Sequence, residues 1–298
     1  MSWIFFALLT PTFYSFTNIL DKYLLDKRIK DPLALTALSG IITGCIGITI
    51  GFFTGFQFIG VLQILLLVFS GVLLLYYLIP YFAAMKLEDA SRVVPLFQFI
   101  PVFTFILSAV FLKEFLTTRQ IFGLMMVVVS GILLSLKKVD GSILTPRKSL
   151  WLMLVSSLMY GLIAILFRFV AKENSFWTMI SYQYIGTGIG GVFLFLFPRI
   201  RNGFTSRVLE IKKSFGIVVV GHFLSMVAQV SESYAVTFVS VPLVNIIGSI
   251  QPVFVLVFGI ILTLWFPHII KEDIKKAVVA HKFVSVVFMF LGLILVYF

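Results

Sequence analysis

Charge is what this sequence has least of. Only 12% of its 298 residues are Asp, Glu, Lys or Arg, and 60% are hydrophobic, whereas soluble domains run to about a quarter charged. A soluble globular fold is excluded. Cysteine is almost missing: Cys45, alone and inside an apolar run, can close no internal disulfide. With three histidines beside it, the chain lacks the ligand set of a dedicated zinc or iron centre, so no metal and no cofactor are expected. A phosphate loop of the GxxxxGK[ST] type is absent, which argues against ATP-driven transport. The opening residues, MSWIFFALL, carry no basic leader or cleavage site and are taken as the first membrane span. The net charge of +11 would suit nucleic acid, but the basic residues sit in short gaps between apolar runs, where the positive-inside rule accounts for them. No nucleic-acid partner is expected.

What is present is a series of apolar runs. They predict an all-α integral membrane protein with ten spans near 3–20, 33–53, 60–84, 91–112, 119–136, 149–169, 175–198, 214–237, 241–266 and 280–298. Ten spans of about 20 residues leave about ten for each connection, too few for an extramembrane domain.

The two halves of the chain align with each other. Trp3 opens the first span as Trp151 opens the sixth; Ala84, Val93, Pro101, Val102 and Phe103 fall on Ala235, Val244, Pro252, Val253 and Phe254; QIFGLMMVVVSGILLSL matches HKFVSVVFMFLGLILVY with Gly131 on Gly292. The expected organisation is therefore two five-span repeats, 1–138 and 149–298, with a linker at 139–148. Five is odd, so the copies must cross in opposite senses, and inverted repeats of this kind place a substrate site near the midplane between them. Small-residue pairs, Gly40/Gly44, Gly47/Gly51 and Gly51/Gly55 in the second span and Gly186/Gly190 in the seventh, are expected to serve helix packing.

The segment AAMKLEDASRVVPLFQFIPVFTFILSAVFLKEFLTTRQIFGLMMVVVSGILL adds a resemblance. Ala84, the turn at Ala90 and Ser91, Pro101, the Lys113–Glu114 pair and the fifth span from Gly123 to Gly131 resemble the EamA branch of the drug/metabolite transporter superfamily. The duplication extends the resemblance over the whole chain. It implies a secondary transporter or exporter of amino acids and other small metabolites, working by alternating access through a central cavity. Two departures stand out: the Lys113–Glu114 pair aligns with Leu264 and Trp265 in the second copy, and the resemblance implies cytoplasmic termini. Charge points the other way. Nineteen of the 23 Lys and Arg follow odd-numbered spans, and only Lys113, Arg119, Arg168 and Lys172 follow even ones, which puts the odd connections in the cytoplasm of a multi-pass cell-membrane protein.

Ionisable groups at membrane depth are functional candidates because each is costly unless paired or hydrated. His222, Ser225, Gln229 and Glu232 recur at helical spacing on one face of the eighth span. Arg168 ends the sixth span on the membrane side nearer Glu232 and is expected either to pair with it or to snorkel to headgroups. Ser91, Val94, Gln98 and Pro101 align with Pro242, Asn245, Ser249 and Pro252, so Pro101 and Pro252 are expected kinks, with Gln98 and Asn245 able to hold a polar solute at the repeat interface. Thr10, Tyr14, Asn18 and Asp21 form a stripe in the first span, and Tyr160 lies deep in the sixth. Tyr77 and Tyr81, near the end of the third span, are assigned to the interfacial aromatic belt. The expected substrate-binding set is thus Tyr14, Asn18, Gln98, Tyr160, His222, Gln229, Glu232 and Asn245, with Glu232 as proton-coupling group and no catalytic residue. A zwitterion such as an amino acid would suit Glu232 and Arg168 together. The expected protein is a transporter and not an enzyme, a monomer or homodimer in contact with membrane lipid. Two alternatives stay open, a lipid or lipid-linked flippase and an integral-membrane enzyme.

Overall fold

The computed structural model describes residues 2–135, 148–171, 174–265 and 276–297. All of the expected linker 139–148 except Lys148 lies outside them, as does Lys172. Within the described residues the chain is helical and holds no strand. The main helices are α1 (Trp3–Arg28), α2 (Pro32–Thr54), α3 (Val61–Leu87), α4 (Ala90–Leu112), α5 (Thr118–Ser135), α6 (Lys148–Val170), α7 (Phe176–Leu194), α8 (Val208–Phe238), α9 (Val241–Trp265) and α10 (Lys276–Tyr297). A short helix, Pro198–Ser206, turns 92° away from α7. Seven helices, α1 to α4, α6, α8 and α9, are long and apolar enough to cross a membrane, and α7 with its bent extension makes an eighth if the two are one span. The apolar parts of α5 and α10, Thr118–Leu133 and Phe283–Val296, are shorter.

Local chemistry sets the helix ends and bends. Asp31 accepts the Leu33 amide at 3.0 Å and Pro32 occupies the first turn, so α2 begins there; it stops at Gly55, whose φ of 76° few other residues adopt. In α4, residues Val94–Gln98 wind as a tighter 3-10 turn just before Pro101. In α9 the helix halts at Gly248 and resumes at Gln251, just before Pro252. A proline ring crowds the carbonyl four residues back; those carbonyls, on Phe97 and Gly248, fall at both irregular segments.

The bundle is apolar outside and holds a group of polar side chains within an otherwise apolar core. Phe52 and Phe53 are 76% and 87% exposed, while Asn18, Gln98, Gln183, Gln229, Glu232 and Asn245 are buried. That inversion suits hydrocarbon as solvent. The helices α2 and α7 run antiparallel in backbone contact: a methyl group on Gly40 would stand 2.7 Å from Gly191 Cα, and one on Gly44 2.5 Å from Gly188 Cα. Gly186 and Gly190 instead face Val68 and Val72 of α3. Gly123 and Gly292 meet in the same close, antiparallel manner between α5 and α10.

Connections gather by parity. Lys22 Nζ reaches the carbonyls of Met85 and Glu88, Ser149 bonds Glu88, and Arg207 pairs with Asp31 at 3.4 Å, so the segments joining α1 to α2, α3 to α4 and α7 to α8 meet, with the start of α6, at one end of the bundle. This is the basic end. Gln57, Glu114, Arg168 and Thr237 mark the other, where Tyr182 bonds the Gln57 carbonyl and Arg168 meets Glu114 and Thr237.

Candidate functional site

The polar stripes of α1 and α8 face each other. Thr10 Oγ1 donates to the Ala228 carbonyl at 3.2 Å, and Ser225 Oγ lies 3.4 Å from Thr17 Oγ1, so the two helices run antiparallel with their hydrophilic faces together. Beside them, α2, α3, α4, α6, α7 and α9 complete the wall of a cavity with about 1230 Å³ of empty space, its mouth included. All eight residues expected to bind substrate, Tyr14, Asn18, Gln98, Tyr160, His222, Gln229, Glu232 and Asn245, line it, as do Pro101 and Pro252.

At its depth lies a chain of hydroxyls ending on a carboxyl. Tyr160 donates to Glu232, which is 6% exposed. Tyr14 and Tyr160 hydroxyls are 3.0 Å apart. Tyr160 has one proton and gives it to Glu232, so Tyr14 is the donor in that second bond. The ring of Tyr77 packs edge-on against Tyr160, with 5.1 Å between centroids. A second cluster lies toward the basic end, where Tyr81 reaches Asn18 Oδ1 at 2.9 Å and Asp21 Oδ2 at 3.3 Å.

Tyr77 and Tyr81 therefore do not belong to an interfacial belt. Both line the cavity, and Tyr81 is 2% exposed. The reason is local: α3 runs on to Leu87, past the expected span end, and Leu74, Tyr77, Leu78 and Tyr81 recur at helical spacing on the face that lines the cavity. Sequence position near a span end does not register which face turns inward. Tyr184 and Thr187 of α7 and Ser39 and Thr43 of α2 also line the cavity and were not singled out; their helices signalled glycine packing far more strongly than polarity.

Several buried polar atoms of residues lining this space have no hydrogen-bond partner among the described residues. They are Asn18 Nδ2, Gln98 Oε1, Asn245 Nδ2 and the Tyr184 hydroxyl. Gln98 uses its amide nitrogen on the Ser249 carbonyl at 2.9 Å. Gln229, by contrast, is engaged: its Nε2 donates at 2.8 Å to Gln183 Oε1, and Gln183 donates at 3.1 Å to Ser70. Gln183 is a buried residue that the sequence stripes did not flag. His222 Nδ1 lies 2.9 Å from the Val218 carbonyl, which can only accept, so this nitrogen carries the proton. Ten residues separate His222 from Glu232 on α8, about 15 Å of helix, so the two do not act on one proton directly.

Arg168 does not pair with Glu232. Its Nε sits 3.3 Å from Glu114 Oε1 and its Nη1 donates to the Thr237 carbonyl at 2.8 Å, while Ser108 holds the other Glu114 oxygen at 3.2 Å. Both partners of Arg168 stand at a helix end, Glu114 just past α4 and Thr237 in the last turn of α8, whereas Glu232 lies six residues inside the end of α8. Among the described residues no Lys or Arg lines the cavity, and no cluster of three His, Cys, Asp or Glu forms that would hold a metal ion.

Residues 1–136 match the model of the EamA-like transporter family. No curated protein matches the chain. A solved structure, described only as the crystal structure of a protein, is similar over 100% of this chain and 96% of its own with a TM-score of 0.70. At 15% identity that likeness speaks for the fold alone.

Proposed function

By its residues 1–136 the chain belongs to the EamA-like transporter family, within the drug/metabolite transporter superfamily, and from that premise we propose that it is a secondary transporter exporting a small organic metabolite by alternating access. The observation that carries this is the cavity: a space inside an apolar bundle where polar side chains converge among aliphatic and aromatic ones, walled by helices from both halves of the sequence. Such a site, rather than a catalytic cluster, is what solute translocation requires.

The proposal takes all ten main helices as spans, arranged as two inverted repeats, 1–138 and 149–298. Packing supports this. Helices five positions apart, α2 with α7 and α5 with α10, lie antiparallel, as opposite senses demand. Gln98 bonds the carbonyl of Ser249, its own counterpart in the sequence alignment, as expected beside a two-fold axis. Tyr81 aligns with Glu232, and each is hydrogen-bonded to the first helix of a half, α1 or α6.

Alternating access also needs one end closed. The cavity lining reaches Asp21, Phe82 and Val94 toward the basic end and stops at Asn245 and Glu232 toward the other. Beyond them, Arg168 ties α6 to Glu114 and α8, and Phe6, Phe176 and Phe238 pack edge-on around the Tyr234 ring. This conformation is read as open at the basic end, cytoplasmic by the charge count, with the Arg168–Glu114 bridge closing the opposite side. Glu232 serves as the proton-coupling carboxyl. The zwitterion argument needed Glu232 and Arg168 in one site, and Arg168 lies outside it. Solute counterflow in proteoliposomes tests the proposal: protein-dependent, saturable exchange of a small solute supports it, and vesicles indistinguishable from protein-free controls across a metabolite library contradict it.

A further inference from the structure

The cavity is one-sided in its chemistry. Asp21 and Glu232 both line it, and among the described residues His222 is the only lining one able to carry positive charge. Basic side chains nearby are turned elsewhere: Arg168 is held by Glu114 and Thr237, and Lys22, next to Asp21 in sequence, is spent on the Met85 and Glu88 carbonyls and on Asp26 at 3.3 Å. The rings of Tyr14, Tyr77, Tyr81, Phe97, Tyr160 and Tyr184 make up much of the remaining wall. Aromatic faces and carboxyls both attract organic cations, and they do so more strongly away from water.

The site also has vacant hydrogen-bonding positions independent of its acids. Gln98 is 2% exposed and Tyr184 1%, yet Gln98 Oε1 and the Tyr184 hydroxyl have no hydrogen-bond partner among the described residues. Buried polar atoms are costly when unpaired, so such atoms facing a cavity mark where a ligand or water bonds. An N–H donor satisfies Gln98 Oε1 directly. A solute carboxylate, by contrast, would face two like-charged groups, with only neutral amides or His222 to offset them. His222 is about 15 Å along α8 from Glu232, and an α-amino acid carries its ammonium and carboxylate on one carbon, so one whose ammonium is at Glu232 cannot also reach His222.

Building on the transporter reading, we propose that the solute is an organic amine without a carboxylate, its ammonium group bound at Glu232 among Tyr14, Tyr77 and Tyr160. Asp21 supplies a second cation station two helix turns nearer the basic end, about 10 Å along α1.

Matched pairs differing only in the carboxylate test this: agmatine with arginine, cadaverine with lysine, tyramine with tyrosine. Thermal stabilisation of the purified protein and flux in proteoliposomes are the readouts. In at least one pair, the amine gives half-maximal stabilisation at a concentration at least tenfold below its amino acid and is the better transported. Glu232→Gln, which keeps an acceptor for Tyr160, weakens that amine tenfold or more, while Glu232→Asp retains part of the binding. Amino acids binding as well as or better than their amines overturn the proposal and leave the transporter reading intact. So does an amine response unchanged in a folded Glu232→Gln protein. If no amine binds or crosses, the proposal also fails. Vesicles loaded with neutral and anionic metabolites then decide the transporter reading: flux above protein-free controls keeps it, and none removes it.

Discussion

At the scale of single residues, the account rests on a few hydrogen bonds in a low-dielectric interior. Tyr160 stands between Tyr14 and Glu232, so Tyr160→Phe leaves an acceptor and a donor without partners, whereas Tyr14→Phe removes only the outer donor. We expect Tyr160→Phe to cost about 1–3 kcal/mol and Tyr14→Phe about 0.5–1.5 kcal/mol, read as a larger fall in melting temperature for the Tyr160 variant; the reverse order would contradict the assigned donor direction. The sequence displayed these residues because polar groups at helical spacing stand out in an apolar run, and Tyr14, Asn18, Gln98, Tyr160, His222, Gln229, Glu232 and Asn245 all reach the cavity. Pairwise partners were less legible. Spacing placed Arg168 on the same side as Glu232, but Glu114 and the Thr237 carbonyl stand at the same depth as Arg168 and Glu232 does not. Depth, which one-dimensional spacing leaves open between helices, decided the pairing.

At the scale of elements, the close contacts between helices depend on residues without side chains. Gly44→Val would drive a branched side chain into the Gly188 backbone and separate α2 from α7. A loss of about 1–3 kcal/mol or more is expected, seen as reduced yield of monodisperse protein and a lower melting temperature. Gly216→Ala is the matching control, since a methyl group there meets nothing within 4 Å; in a helix interior it should be neutral or stabilising by up to about 1 kcal/mol. If both variants behave alike, the glycine contacts are not what holds these helices. Hydropathy and glycine spacing made these elements legible, as did the alignment of Pro101 with Pro252. The irregular turn of α3 at Tyr77 was legible as well, since Pro80 crowds the Tyr76 carbonyl four residues back. Which face of α3 turns inward was not, because the run is apolar nearly all round, and Tyr77 and Tyr81 lie on that inward face.

At the scale of the whole molecule, the account describes a bundle closed at one end by an ion pair and aromatic rings. Charge reversal tests the closure: Arg168→Glu and Glu114→Arg alone should each impair transport several-fold, and the double reversal should recover part of it. No recovery would mean that the pair is not a functional contact. Access can be read directly. In a Cys45→Ala background, Thr43→Cys lines the cavity and should react with a membrane-impermeant thiol reagent from the basic end; adding Arg168→Ala should raise its reaction from the other end. Span parity, read from apolar runs and charge, anticipated that alternate connections meet at opposite ends of the bundle. How the halves enclose a common space was legible only through their alignment with each other.

The central claim is that this cavity carries solute and that Glu232 couples the passage to protons. Its most direct test is solute flux in proteoliposomes across a range of pH, for the wild-type chain and for a folded Glu232→Gln variant. The account predicts saturable, pH-dependent flux for the wild type, and flux at least tenfold slower and without pH dependence for the variant. Equal flux with an unchanged pH profile would contradict it.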